Sequence, residues 1–365
     1  MRIVYDYQAF AIQAYGGVTR YLVRLAESLL ELGEDPQILA PFHQNRYLKE
    51  LPHTNVHGMK LEAHDIAYSR FYRRINRFIS SVQMRGLKPD ILHETYYSLH
   101  GLKSRAPRFL TVHDMIHEKL SSHFHPQDET PAQKRGAIAR ADHIICVSRN
   151  TKNDLCSLFD IPENKVSVVH LGFDALQRLP AETKQVSPQR PYVLYVGHRG
   201  GYKNFAAVLA GIASRPRLVR DFDLVAFGGG AFSQDECAQI AALGFNEGCA
   251  RQITGPDYVL SGLYAAAAAF VYPSLYEGFG LPPLEAMANN CPVAASNAAS
   301  IPEVCGDAAA YFDPHDTDSI ADAIESVVFN ASRRRALVKN GQDRIRQFSW
   351  SQCASETRAL YRRFA

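Results

Sequence analysis

No apolar run in this 365-residue chain approaches the ~18 residues that a membrane-spanning helix needs. The longest candidate, Leu263 to Tyr272, is Ala-rich and reads as a buried helix end running into a strand. The chain opens directly on a strand-like run, Arg2-Ile3-Val4-Tyr5-Asp6, so no signal peptide is expected. Cysteine is present but unpatterned: seven residues, at 146, 156, 237, 249, 291, 305 and 353, odd in number and without C-x-x-C spacing. That argues against a disulfide frame or zinc site and for reduced thiols in a cytoplasmic protein, with Cys146 and Cys291 as small core residues. A net charge of +3 leaves no nucleic-acid footprint at the level of the whole chain. The G-x-G-x-x-G fingerprint is missing, which disfavours a nicotinamide dehydrogenase. His113 and His117 are four residues apart, with His123 and His125 nearby, but without an H-E-x-x-H pattern no metal is expected. Short-period repeats and low-complexity tracts are also absent.

What is present is an alternation of short β-type runs and helical segments, the pattern of parallel α/β architecture. The first half predicts strands at Arg2–Tyr5, Gln37–Ala40, Ile91–His93, Phe109–Val112, Ile144–Val147 and Val166–His170. A helix is predicted over Val18–Leu32, with Val18, Tyr21, Leu22, Leu25, Leu29 and Leu32 at helical spacing and Gly33 as its stop. Residues 179–191 are polar, carry three prolines and lack periodicity, so a domain boundary is placed there. The second half restarts with strands at Tyr192–Val196, Asp223–Phe227, Arg251–Ile253, Ala269–Tyr272, Val293–Ser296 and Ala309–Phe312. The expectation is two Rossmann-like, doubly wound parallel-sheet domains, residues 1–180 and 181–345, facing across a cleft. In such sheets ligands bind beyond the carboxyl ends of the strands. A last helical stretch, within residues 346–365, either caps the second domain or crosses back to the first.

The most informative segment runs Tyr276-Glu277-Gly278-Phe279-Gly280-Leu281-Pro282-Pro283-Leu284-Glu285. Two glutamates flank a glycine-rich turn and the start of a helix, where the prolines suit the first turn. Backbone N–H groups near Gly280 and Leu281 then form an anion site suited to a diphosphate. Glu277 can accept hydrogen bonds from sugar hydroxyls, and Glu285, in the first turn, can accept a bidentate pair from a ribose diol. A second loop, Gly197-His198-Arg199-Gly200-Gly201-Tyr202-Lys203, leaves a strand with two cations that can neutralise a diphosphate without a metal. In the first half, Gly16-Gly17 at a helix entry lets backbone approach a ligand closely. His113, ending the strand Thr111-Val112, can face the cleft. Ser148 reads as an N-cap.

Arg70, Arg73, Arg74, Arg77 and Arg85 interleave with Phe71, Tyr72, Ile75, Phe78, Ile79 and Val82. This is either an amphipathic helix with a solvated basic face or a surface that docks on an anionic membrane or a lipid-diphosphate-linked acceptor.

In order and spacing these segments resemble retaining glycosyltransferase family 4, which has the GT-B fold. The E-x7-E element of Glu277 and Glu285 is its specific part. The Thr-Val-His-Asp strand end, Ala141 to Ser148, Val169 to Asp174, Phe227-Gly228-Gly229-Gly230 and Ser300 to Val304 extend the likeness over essentially the whole chain. The resemblance implies that Arg199 and Lys203 hold the donor diphosphate, that Glu285 binds the ribose and that Glu277 positions the transferred sugar. It implies backbone donors at Gly280 and Leu281, His113 near the donor sugar, and Gly16-Gly17 closing over the phosphates. It also sends the C-terminal helix back across the first domain. Many relatives carry arginine directly after the strand-ending glycine, whereas here His198 stands there and Arg199 follows.

The function so implied is transfer of a hexose or deoxyhexose from a UDP- or GDP-linked donor to a saccharide or lipid-linked saccharide acceptor. The enzyme would work in cell-surface polysaccharide synthesis, at or near the cytoplasmic membrane face, with no cofactor, no metal and no nucleic-acid partner. Retention allows a front-face path in which the leaving phosphate oxygen takes the acceptor proton, with a double displacement on Glu277 as its rival. An inverting transferase, an epimerase and a non-catalytic nucleotide-sugar sensor stand as alternatives.

Overall fold

A computed structural model describes residues 1–61, 70–176 and 190–365. The chain forms two compact units, one comprising Met1–Gly172 and Ser349–Ala365 and the other Phe173–Phe348. Most of the boundary expected at residues 179–191 lies outside the described residues.

In the first unit the strands are β1 (Arg2–Tyr5), β2 (Asp35–His43), β3 (Val56–Lys60), β4 (Ile91–Glu94), β5 (Arg108–Val112), β6 (His143–Cys146) and β7 (Val166–Val168). They pair in parallel in the order β3-β2-β1-β4-β5-β6-β7. Helices cover both faces, so the central strands read as continuous apolar runs: Ile3, Val4 and Tyr5 of β1 are all fully buried. The strand β3 was not expected, and β7 ends two residues short of the expected His170. The first long helix, Gly17–Glu31, buries Tyr21, Leu22, Leu25 and Leu29 and stops at Gly33, whose φ is +76°.

The last helix, Trp350–Tyr361, packs on this first long helix and completes the first unit. Its buried Tyr361 hydroxyl meets the Tyr5 hydroxyl at 3.3 Å and His93 Nδ1 at 2.5 Å. The Tyr361 ring stands edge-on to Phe109, and Arg362 pairs with the buried Glu34 at 2.8 Å.

The second unit contains β8 (Tyr192–Val196), β9 (Asp223–Phe227), β10 (Ala250–Ile253), β11 (Ala269–Tyr272), β12 (Val293–Ser296) and β13 (Ala309–Phe312), all where the sequence predicts them to within a residue. The order is β10-β9-β8-β11-β12-β13, again all parallel. Each sheet therefore reverses its winding direction beside its first strand, between β1 and β4 and between β8 and β11. Such reversal points open a crevice at the carboxyl ends of the two strands. All seven cysteines are free thiols, and among the described residues no helix is long and apolar enough to cross a membrane.

Candidate active site

The reversal point of the second sheet brings together the loops that follow β8 and β11. After β8 the chain passes Gly197, at φ +134°, makes one 3-10 turn over Gly201–Lys203 and enters the helix Phe205–Ala213 through left-handed Asn204. After β11 it runs from Pro273 to Gly280 into the helix Leu281–Ala288. The two loops are stitched by Leu275 N–H donating to Tyr202 O at 2.8 Å and by Asn204 Nδ2 donating to Pro273 O at 3.2 Å. Asn204 also donates to Pro314 O at 2.7 Å, so one amide ties three loops.

Across this seam Lys203 Nζ lies 2.6 Å from Glu277 Oε1, with both side chains largely buried. The backbone of the glutamate loop is held from behind by the buried Ser300, whose hydroxyl donates to Glu277 O at 2.8 Å and Phe279 O at 2.9 Å. Gly280 caps the helix at φ +102°, a conformation that a Cβ would strain. Pro282 and Pro283 occupy the second and third helical positions, so they remove two of the N–H groups that a helix start ordinarily presents. Of those first three positions, only Leu281 carries an N–H.

Glu285 is the fifth residue of that helix rather than a member of its first turn. It sits beside the buried Tyr264, whose hydroxyl is pushed well above its ordinary range by burial and then by the Glu285 carboxylate. Asn289 Nδ2 donates to Glu285 O at 2.9 Å and is itself held by Ser261.

Arg199 has several internal partners. Its guanidinium turns onto the next loop, donating to Gly228 O at 2.8 Å and Ala231 O at 2.9 Å, and pairs with Glu236 at 2.6 Å. It also lies over the Phe232 ring. Gly228, Gly229 and Gly230 all have positive φ, so this turn has little regular structure of its own and is clamped by the arginine. Glu236 closes a capping box with Ser233, and its hydrogen bond from Arg199 holds its carboxyl below the usual range. Lys203 and Glu277 thus meet directly, whereas the fork of Arg199 is spent on internal partners. His198 accepts from Gly200 N–H at Nδ1.

In the first unit His113 directly follows β5 and stands edge-on to Tyr21, which lies one helical turn after Gly17. Burial pushes its imidazole down to about 4, with Asp114 opposing the shift and Lys134 adding to it. Its Nε2 is buried with no hydrogen-bond partner among the described residues. Its backbone N–H donates to Tyr97 Oη at 3.3 Å. His117, the other member of the spaced pair, stacks on Phe124 and faces Asp128 at 3.4 Å. Gly16, at φ 171°, has an ordinary extended backbone, but a Cβ there would run into the Gln13 side-chain amide, whereas a Cβ at Gly17 would touch nothing. Ser148 caps the helix Arg149–Phe159 by accepting from Thr151 N–H, as expected. Sequence reasoning passed over Asn204 and Glu236. A polar residue directly before an apolar helix was the available sign for Asn204, and the S-x-x-E box for Glu236.

Comparison with known proteins agrees with this architecture. The model of the family "Glycosyltransferase Family 4" matches residues 15–176, and that of "Glycosyl transferases group 1" matches residues 181–344. The O-antigen chain mannosyltransferase B of Escherichia coli is 30% identical over 369 residues, covering 95% of this chain and 96% of that protein. Among solved structures, a sucrose-phosphate synthase from Thermosynechococcus elongatus superposes with a TM-score of 0.74 at 20% identity, over 99% of this chain and 98% of that one. The Anabaena protein HepE in complex with UDP-glucose gives 0.69 at 16% identity, over 99% and 100%. Two parallel sheets with reversed winding, matched in order along the whole chain, make the assignment: the chain belongs to the family 4 glycosyltransferases, with a group 1 domain in its second half and the GT-B fold.

Proposed function

We propose that this chain transfers a hexose, with mannose the first choice, from a nucleotide-diphosphate sugar to a saccharide or lipid-linked saccharide acceptor in cell-surface polysaccharide synthesis. The reaction retains anomeric configuration and uses no metal or other cofactor. The observation that carries the reading is the Lys203–Glu277 pair at the reversal point of the second sheet, beside the Gly280 turn. A cation there neutralises charge developing on a departing diphosphate, and a carboxylate one hydrogen bond away accepts from sugar hydroxyls. In this reading Gly280 and Leu281 donate backbone N–H groups to the phosphates, and Glu285 receives the ribose diol. In the first unit, His113 and the Gly16-Gly17 loop are the corresponding candidates. The relative named as a mannosyltransferase at 30% identity favours mannose over glucose.

On a front-face path the bond from the sugar C1 to the phosphate oxygen breaks while the acceptor oxygen bonds to C1 on the same side. The acceptor proton passes to the leaving phosphate oxygen, so no side-chain base is needed. Arg199 enters as a positioning residue for the Gly228–Ala231 turn rather than as a direct phosphate ligand.

The enzyme is proposed to work at the cytoplasmic membrane face. The helix Arg70–Leu87 exposes Phe71, Phe78 and Val82 in one stripe with Arg85, a combination suited to an anionic interface.

The test is a thermal-shift panel of UDP, GDP, ADP and dTDP without metal, on the native chain and on Glu285→Ala. A ligand at ~100 times its dissociation constant adds about 2.7 kcal/mol of stability. One responding nucleotide whose effect disappears in the variant identifies the donor class, and NMR of the product anomer then tests retention. Silence from all four overturns the donor site, and an inverted product overturns the mechanism.

A further inference from the structure

The reversal point of the first sheet is also occupied by a cavity, of about 330 Å³. That volume falls in the range of sites for small ligands. Tyr7 and Gln8 enter it from the end of β1, and Tyr97 to His100 from the end of β4. One wall is basic: Arg73, Arg74 and Arg77, from the helix Arg70–Leu87, all line it.

Three features distinguish this wall from an ordinary solvated face. Among the described residues none of the three guanidinium groups has an ion-pair partner, while elsewhere the arginines beside buried carboxylates are paired, as Arg108 and Arg140 are with Glu94. Arg73 and Arg77 are one helical turn apart, a like-charge spacing that weakens a helix unless something anionic offsets it. The helix that carries them is also held in place. Asn76 accepts from Phe42 N–H at 2.8 Å and donates to Phe42 O at 3.0 Å, and the Tyr7 hydroxyl donates to Arg73 O at 3.4 Å. The lining contains one carboxylate, Glu129, which accepts from Gln133 at 3.0 Å.

The rest of the cavity suits a sugar on an apolar carrier. Tyr7 and Tyr97 supply aromatic walls, and Ile12 and Leu99 are lining residues that remain 39% and 57% exposed. Tyr97 leads directly to His113, the candidate residue of the first unit, because its hydroxyl accepts the backbone N–H of that histidine.

We propose that this cavity receives the acceptor by a phosphoryl group: Arg73, Arg74 and Arg77 bind a phosphate or diphosphate ester on the acceptor saccharide and so select charged acceptors over neutral ones. The inference rests on the glycosyltransferase reading and specifies its acceptor. Arginine forks match phosphate oxygens bidentately, and three on one wall, without an ion-pair partner among the described residues, attract a group of at least two negative charges.

The experiment measures binding of inorganic pyrophosphate by isothermal titration calorimetry with the nucleoside diphosphate kept saturating, so that the donor site is filled. Native protein and the double variant Arg73→Ala/Arg77→Ala are compared, with the nucleotide thermal shift as a control for folding and for the donor site. The expected result is pyrophosphate binding that weakens at least tenfold in the double variant while the nucleotide shift is unchanged. A second arm measures flotation with phosphatidylcholine vesicles, with and without phosphatidylglycerol, to separate a phosphorylated saccharide from a lipid headgroup. No pyrophosphate binding, or equal binding by both proteins, overturns the proposal and leaves the donor reading intact. Loss of vesicle binding alone in the double variant also overturns it and assigns these arginines to the membrane. A nucleotide shift absent from the native protein overturns the donor reading instead. Pyrophosphate is then titrated without nucleotide in a Lys203→Ala background, and the same tenfold comparison decides the cavity.

Discussion

Lys203 and Glu277 neutralise each other at 2.6 Å across the loops that leave β8 and β11. A diphosphate arriving beside Lys203 competes with that carboxylate for the ammonium group. Glu277→Gln should therefore tighten nucleoside diphosphate binding by roughly 3–10-fold, because a like charge is removed from the site. The same variant should transfer sugar at least ~10²-fold more slowly, since the hydroxyl-binding carboxylate is lost. Lys203→Ala should weaken nucleotide binding and lower turnover by ~10²-fold or more. Calorimetry and single-turnover rates on both variants check the pair. Weaker nucleotide binding in Glu277→Gln would show that the carboxylate helps hold the donor rather than competing with it.

Arg199 is expected to act through the loop it clamps. Arg199→Ala strips donors from Gly228 O and Ala231 O and leaves Glu236 without its partner, a loss of about 3 kcal/mol. For a domain of this size that lowers the melting midpoint by about 6–12 °C. Arg199→Lys should fare little better, because an ammonium cannot reproduce the fork. An unchanged midpoint together with lost nucleotide affinity would mean that Arg199 is a ligand after all.

Tyr264 stands behind Glu285, and its hydroxyl stays protonated beside the carboxylate. Tyr264→Phe should loosen the glutamate and weaken nucleotide binding roughly 3–10-fold. Glu285→Ala, which loses charge-assisted bonds to the ribose, should cost about 10–100-fold. Nucleotide titrations of the two variants and their combination give the coupling. Simple additivity would place Tyr264 outside the ribose site.

The first unit should lose stability as pH falls from about 6.5 towards 4. Burial holds His93 at about 3, and His113 and His143 at about 4, so the folded unit keeps them neutral while the unfolded chain takes up protons below about 6.5. Their contribution is fully present above that pH and is lost on acidification. Asp6 works the other way, because burial raises it to about 6 and the folded chain therefore gains a proton sooner than the unfolded one. These three protons against one leave a slope of order 2–3 kcal/mol per pH unit between about 4 and 6, and His43 and His57, also pushed down by burial, add to it. Melts from pH 7 to 5 on the native chain and on His143→Gln check the sign, and the variant should show a shallower slope. A flat profile would count against the buried neutral histidines.

The strands of the second sheet could be read from sequence because parallel strands buried on both faces show as short apolar runs, as Leu194 and Val271 do. By the same logic β3 was hidden: it is an edge strand, and His57, Gly58, Met59 and Lys60 offer neither an apolar run nor a buried face. The glutamate pair was visible because turn, prolines and helix lie within one continuous stretch. The partners of Arg199 were not, since Gly228, Ala231 and Glu236 come some thirty residues later and meet it only through the β8–β9 crossover. The basic helix was likewise evident as a charge pattern, but the cavity it lines needs Tyr7 and Tyr97 from two other loops.

The segment Ser349–Ala365 belongs to the first unit although the whole second unit is spelled out before it. On the ribosome, the sheet of the first unit therefore emerges early and waits for its last piece. At ~5–20 residues per second the wait is on the order of ten seconds or more. Throughout that time Tyr5, His93 and Phe109 lack the cover that Tyr361 later supplies, and His143 lacks that of Phe364. A nascent chain in this condition is a natural client for a holding chaperone. Messages cut short before codon 349 should yield sticky fragments rather than a free-standing first domain.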